Sequence, residues 1–244
     1  MNEEDRIFRK MTADFARLAP FGFQPCPEGF RYVEGIMDGE FRAEVVVGGT
    51  GAVSGRVIDA ETGEEYLPAR QTAQVGAYVG ATREAYAKVL RRVARACFQE
   101  QPFLFAQANR LARLIAARYG ERPDFPFKKL PDYGVFRFPE NRRWYALVMQ
   151  LRRSLFSGGT GGRDEEASLV EVLNLKPGAD RMAELLALPG IFPGYHMKRT
   201  AWISVLLDET TPDALIMDLV DRSRNFAVQA GRGRRSRDRK DGIA

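Results

Sequence analysis

The sequence predicts an α+β protein in which antiparallel sheets pack against helices. Two observations carry that prediction. From Leu169 to Asp208 the chain reads as strand, helix and two further strands, with Pro177-Gly178 and Pro189-Gly190 marking the changes. A strand, helix and hairpin in that order leave one sheet face to be covered by helix. Nearer the start, Asp38-Gly39 separates Phe30–Met37 from Phe41–Val47, and this pair suits a tight hairpin because both central residues must tolerate positive φ.

The elements follow in chain order. Ile7, Phe8, Met11, Phe15 and Leu18 form an i, i+4, i+8 stripe, which predicts one helix over Glu4–Leu18. Phe21–Pro27 is rich in turn formers and reads as a connector. The hairpin about Asp38-Gly39 continues through Gly48–Gly51 into Val53–Ala60, and through Glu61-Thr62-Gly63 into Glu64–Leu67, a four-stranded meander. Thr82 is placed to cap a helix running to about Gln99, with Tyr86, Leu90, Val93 and Cys97 inward and Arg83, Lys88, Arg91, Arg92 and Arg95 outward.

A second domain is predicted to begin near Gln101-Pro102. Phe103–Tyr119 is amphipathic through Phe105, Leu111, Leu114 and Ile115, and Gly120 ends it. Pro123, Pro126 and Pro131 make the next stretch extended and irregular. Val135–Phe138 and Arg142–Leu151 then pair across Pro139-Glu140-Asn141, and Ser157–Asp164 is flexible by composition. After the strand ending at Lys176 come a helix over Asp180–Leu188 and strands Ile191–His196 and Ala201–Leu207, joined by the polar turn Met197–Thr200. Pro212 opens a last helix with Leu215, Ile216, Leu219, Val220 and Phe226 inward. The predicted division is therefore an α+β domain over 1–100, a second over 101–230, and a disordered basic tail over 231–244.

These residues carry a specific resemblance. LNLK (Leu173–Lys176), the hairpin residues Tyr195, His196, Met197, Lys198, Arg199 and Trp202, and the closing segment Asp221-Arg222-Ser223 resemble the MmcQ/YjbR family. The likeness covers about residues 95 to 230, and residues 1 to 95 resemble an N-terminal extension of longer members. It departs at Arg222-Ser223-Arg224, where relatives commonly carry Ser-Tyr. Membership implies helices against an antiparallel sheet, of the kind also called secretion-chaperone-like or CyaY-like. It also implies a DNA-binding label that rests on paired hairpin wings, and it brings no catalytic residue.

Composition narrows the function classes. With 45% apolar and 28% charged residues in 244, the chain has the balance of a globular protein, and no apolar run approaches the roughly 20 residues of a membrane span. The acidic start Met1–Asp5 lacks the basic segment and apolar core of a signal peptide, so a cytoplasmic protein without membrane contact is expected. Cys26 and Cys97 lie outside metal-site spacing and are expected to be reduced thiols. The formal charge of +5 is concentrated at the end: Gly231–Ala244 holds six cations against two carboxylates, a net +4, leaving +1 for residues 1–230. Basicity of the whole chain is thus weak support for nucleic-acid binding by the folded body.

Candidate sites are few. His196, the single histidine, lacks a neighbour at triad or ligand spacing and reads as a structural or hydrogen-bonding residue of the hairpin, with proton transfer the other reading. Gly48–Gly51 and Gly158–Gly162 lack the Lys-Ser/Thr that must follow in a P-loop, so they read as turn and linker. Glu61, Glu64 and Glu65, and Asp164-Glu165-Glu166, read as solvated turns. No catalytic set, metal or cofactor is expected. The positive constellation carries more: Arg142 and Arg143 stand at one hairpin tip, Lys198 and Arg199 at another, and Lys176 ends the strand between. Trp144 and Trp202 follow the two tips and are expected in the core. Three readings follow: a nonenzymatic DNA-binding protein that meets phosphates through these cations, a module that binds a protein partner through its sandwich, and, third, an uncharacterised enzyme.

Overall fold

A computed structural model describes residues 2–71, 76–156 and 168–238, with side chains as far as 229. The predicted flexible stretch Ser157–Asp164, the Asp164–Glu166 cluster and residues 239–244 lie outside the described residues. The chain forms two compact units, Met1–Gln101 and Pro102–Ala244.

The first unit contains α1 (Glu3–Phe8), β1 (Met11–Ala13), α2 (Phe15–Phe21), β2 (Gln24–Cys26), β3 (Gly29–Ile36), β4 (Phe41–Gly48), β5 (Val53–Asp59), α3 (Ala77–Cys97) and β6 (Phe98–Glu100). An antiparallel sheet of order β2-β3-β4-β5 lies against α3. Val45, Val47 and Phe41 alternate inward along β4, as a half-covered strand requires, and meet Leu90, Val93 and Tyr86 of α3.

Several expectations change here. The helix read over Glu4–Leu18 is two helices, because Met11–Ala13 pairs with Phe98–Glu100 as a small clasp and interrupts the helical ladder. The apolar stripe survives the break because Ile7, Phe8 and Met11 still face the same core as Leu18. The fourth strand of the sheet is Gln24–Cys26, read as connector, whereas Glu64–Leu67 contributes only an isolated bridge, Ile58 to Glu65. Thr82 does not cap α3. It lies fully buried inside the helix, and its Oγ1 donates back to the Tyr78 carbonyl at 3.0 Å, while Gly76 occupies the cap position.

The second unit contains α4 (Ala106–Tyr119), β7 (Gly134–Arg137), β8 (Trp144–Arg152), β9 (Leu169–Leu175), α5 (Met182–Leu186), β10 (Ile191–Pro193), β11 (Ile203–Leu206) and α6 (Asp213–Asp238). Its five-stranded sheet is antiparallel throughout, in the order β10-β11-β9-β8-β7. One face packs on α4 and α6 through Leu173, Leu175, Val148, Ile203, Leu111, Ile115, Ile216, Leu219 and Val220. The other face is covered by side chains from loops, with Phe127, Tyr133, Phe156 and Tyr195 lying over Val135, Leu147, Met149 and Val172.

Gly120 ends α4 at φ 70, in the left-handed region that glycine enters without penalty. Glu171, itself buried, accepts from the Leu104 and Phe105 amides and so satisfies two free donors at the start of α4. α6 differs from expectation at two points. Phe226 is 40% exposed, and the inward position belongs to Ala227, which continues the Ile216, Leu219/Val220, Ser223 stripe. The helix also runs past Ala230 to Asp238, where a disordered tail was predicted, and arginine, which dominates this segment, is among the good helix formers. Among the described residues no helix is long and apolar enough to cross a membrane.

A candidate nucleic-acid interface

The register of the second sheet brings the two basic hairpins to one end. Pro193 pairs with Ile203, Ile203 with Leu175, Leu175 with Ala146 and Ala146 with Phe136, so these residues form one row across all five strands. Immediately beyond that row the chain leaves the sheet at Phe138–Arg143 on one side and at Gly194–Trp202 on the other. Lys176 follows the central strand and lies between them. The five cations singled out from sequence therefore occupy one end of one sheet.

Their environments differ. At the first tip, Arg142 adopts φ 58 and its Nη2 pairs with Asp124 Oδ2 at 3.1 Å, so its charge is partly met. Arg143 is exposed and has no ion-pair partner among the described residues. The tip is closed by backbone bonds from Phe138 N to the Arg143 carbonyl and from Arg142 N to the Phe138 carbonyl, both 2.9 Å. Lys198 and Arg199 of the second tip are exposed and likewise without an ion pair among the described residues.

Lys176 is half-buried, with Nζ 4.6 Å from the centre of the Trp202 ring. Burial first, and then the positive charge of Arg143, hold its ammonium below the usual lysine range. No carboxylate relieves that repulsion among the described residues. The peptide of Lys176 is nonetheless fixed, because its N–H donates to Ser223 Oγ at 3.0 Å and Ser223 in turn donates to the Tyr145 carbonyl.

The tryptophans are not core residues as expected. Both are half-buried, since each flat face carries a cation: Lys176 over Trp202, and the Arg137 guanidinium 5.1 Å from the centre of Trp144. Phe127 packs edge-on against Trp144 at 5.7 Å, and the exposed Lys128 and Lys129 follow Phe127 in the chain. Those two lysines were missed from sequence because only the packing of Phe127 connects the proline-rich loop to this end.

A buried polar pair holds the second tip. Asn174 and Ser204 are fully buried in adjacent strands, and Ser204 Oγ donates to Asn174 Oδ1 at 2.6 Å. Asn174 Nδ2 donates to the Tyr195 carbonyl at 2.9 Å and the Tyr195 N–H donates to Ser204 Oγ at 2.8 Å, so both sides of one residue's backbone are held. The chain then turns through His196 at φ 53, a left-handed conformation uncommon outside glycine. This shortens the predicted strand Ile191–His196 to Ile191–Pro193. The His196 imidazole is exposed, stands 4.2 Å from the Tyr195 ring, and makes no hydrogen bond among the described residues, so of the structural or hydrogen-bonding part expected of it only the structural one, at the turn, is seen.

The helical side of the unit is electrostatically different. Arg110 pairs with Glu209 and Asp213, Arg118 with Asp221, Arg181 with Asp218, Arg222 with Asp180, and Arg224 with Glu121. As far as residue 229, the last helix therefore does not extend the unpaired basic surface. Among the described residues no cluster of His, Cys, Asp or Glu is arranged to hold a metal ion. Cys97 is buried and Cys26 partly exposed, and both are free thiols.

The geometry defines an α+β protein of helices on an antiparallel sheet, with two basic tips at one sheet end. A family model described as YjbR matches residues 116–226, inside the second unit and shorter than the span of the sequence resemblance. The uncharacterized protein YyaQ of Bacillus subtilis (strain 168) is 34% identical over 109 residues, which are 45% of this chain and 87% of YyaQ. The uncharacterized protein YbdF of Escherichia coli O157:H7 is 40% identical over 74 residues, 29% of this chain and 57% of YbdF. A crystal structure of a protein from Pseudomonas syringae is 34% identical with a TM-score of 0.43, covering 47% of this chain and 92% of that one. Deinococcus radiodurans protein DR2400 is 28% identical with a TM-score of 0.33, covering 46% and 70%. The chain belongs to the YjbR family.

Proposed function

We propose that the chain is a DNA-binding protein whose second unit contacts the phosphate backbone through Arg143, Lys176, Lys198 and Arg199. The observation that supports this reading is the asymmetry of charge pairing. Arg110, Arg118, Arg181, Arg222 and Arg224 on the helical side are matched by carboxylates, with the exposed Arg113 of α4 the exception, while these four cations at one sheet end make no ion pair among the described residues. Leaving Lys176 and Arg143 in mutual repulsion is unfavourable in the free protein. A phosphate between them turns that repulsion into two charge-assisted hydrogen bonds. Arg142 contributes less, since Asp124 already holds it. Interactions of this kind fix position without reading bases.

The test keeps the full-length chain and replaces the six basic residues beyond Gly231 by Gln, so that a polycationic tail cannot supply the signal. This protein is expected to bind DNA with log K falling linearly as log salt rises. Changing Arg143, Lys176, Lys198 and Arg199 together to Ala should flatten that line by about three to four units, close to one for each phosphate no longer neutralised. Arg142→Ala alone should change the slope by about half a unit at most. Loss of all binding on neutralising the tail alone would assign the affinity to the tail and overturn the proposal.

A further inference from the structure

Beside the second basic tip lies an open groove of about 590 Å³, walled by Phe156, Phe192, Tyr195, His196, Met197 and Arg199. Its floor is aromatic: Phe156 is 5.2 Å from Phe192 and 6.0 Å from Tyr195, ring centre to ring centre, and Tyr195 meets His196. Neither the Tyr195 hydroxyl nor the imidazole has a hydrogen-bond partner among the described residues, so both are available to the polar edge of a ligand. Arg199, without an ion pair among those residues, closes one wall, with Lys198 next to it. The groove is thus lined by aromatic rings tilted 58° to 63° to one another, and is positive at the rim.

The backbone of this wall is held in advance. Asn174 and Ser204 occupy fully buried positions in the sheet, and their hydrogen bonds go to the Tyr195 N–H and carbonyl. Gly194, just before, leaves no room for a Cβ, which would fall 2.8 Å from Trp202 Cβ and 2.9 Å from the Trp202 carbonyl oxygen. The two strands can therefore close tightly at the base of the turn that carries Tyr195 and His196. A turn held from both sides keeps its rings in place without an ordering loss when a ligand arrives.

We propose that this groove takes an unstacked base of a single DNA strand, with the flanking phosphates on Arg199 and Lys198. The inference rests on the DNA-binding reading and specifies the strand state. A base offers a π-face to the aromatic floor and hydrogen-bonding edges to the free polar groups, and its backbone brings the negative charge that the rim lacks. In a duplex the faces are stacked on one another, so the groove has nothing to receive.

The experiment uses the full-length chain with its tail neutralised as above, at one salt concentration. Three probes carry equal numbers of phosphates: a thymidine strand, a hairpin duplex, and a strand of abasic sugar-phosphate. The thymidine strand is expected to bind about tenfold or more tighter than the other two, the scale of one or two stacked bases. Tyr195→Ala should remove most of that preference and leave the salt slope unchanged, with a thermal melt confirming that the variant is folded. The abasic probe needs no variant, so a folding defect cannot mask the answer. Equal affinity for all three probes would overturn the groove while leaving phosphate binding standing. Absence of binding by any probe at low salt would overturn both.

Discussion

At the scale of single residues, the polar positions inside the sheet say the most. Asn174 and Ser204 stand in runs that otherwise read as continuous core, and that interruption is visible in the sequence, yet their mutual hydrogen bond depends on strand order. His196 drew attention as the single histidine, although the feature that shapes the tip is its backbone at φ 53 and the two hydrogen bonds on Tyr195 that hold it. Ser204→Ala leaves Asn174 Oδ1 and the Tyr195 N–H without their partner, and a loss of about 1–3 kcal/mol is expected in urea unfolding. A change within error would show that the turn is held by other interactions. Asp213 permits a pH test. The hydrogen-bonding Arg110 guanidinium, and then Gln107, hold its carboxyl below the usual value, so its contribution is fully present above about pH 4 and fades as pH falls through the lower folded value. Asp213→Asn should destabilise by on the order of 1 kcal/mol at pH 7 and by little near pH 2. An equal loss at both pH values would show that the carboxylate charge is not what matters.

At the scale of elements, what was legible was whatever local chemistry decides. The hairpin over Phe30–Val47, the helix stop at Gly120, the hairpin around Pro139-Glu140-Asn141 and the strand-helix-hairpin order of 169–208 follow from turn residues and periodicity alone. What escaped was decided by distant partners. Met11–Ala13 lies on a good helical stripe and becomes a strand because Phe98–Glu100 is there to pair with it. Gln24–Cys26 becomes an edge strand because Gly29–Arg31 folds back onto it. Thr82 has the sequence of a cap and the position of a core residue. The same limit applies to the site: five cations could be named from sequence, but Arg142 could not be separated from Arg143 before Asp124 was seen beside it. Gly194→Ala tests the tightest junction of the second hairpin. The added methyl collides with the Trp202 backbone, so the melting temperature should fall and DNA affinity should drop through displacement of the tip. Wild-type values for both would show that the hairpin absorbs the methyl without moving.

At the scale of the whole molecule, the chain consists of two units that each own a core, and the four cations proposed to meet phosphate belong to the second. Leu90→Ala, in the first core, should cost about 2–5 kcal/mol of that unit's stability and leave DNA affinity unchanged under native conditions. A parallel loss of affinity would give the first unit a part in binding. Charge also reads differently at this scale. The sequence showed a nearly neutral body with a basic end, so that overall charge lent the body little support as the binding surface. Among the described residues, the structure resolves that neutrality into a helical side where every arginine but Arg113 is paired and a sheet end where Arg143, Lys176, Lys198 and Arg199 make no ion pair. The central claim, that this sheet end meets the DNA, is tested most directly by an NMR titration of the isotope-labelled, tail-neutralised chain with a DNA strand. The expected result is that amide shifts move at Arg143, Lys176 and Tyr195–Arg199 and stay still on the outer faces of α4 and α6. Shifts confined to the helical side, or to the first unit, would contradict it.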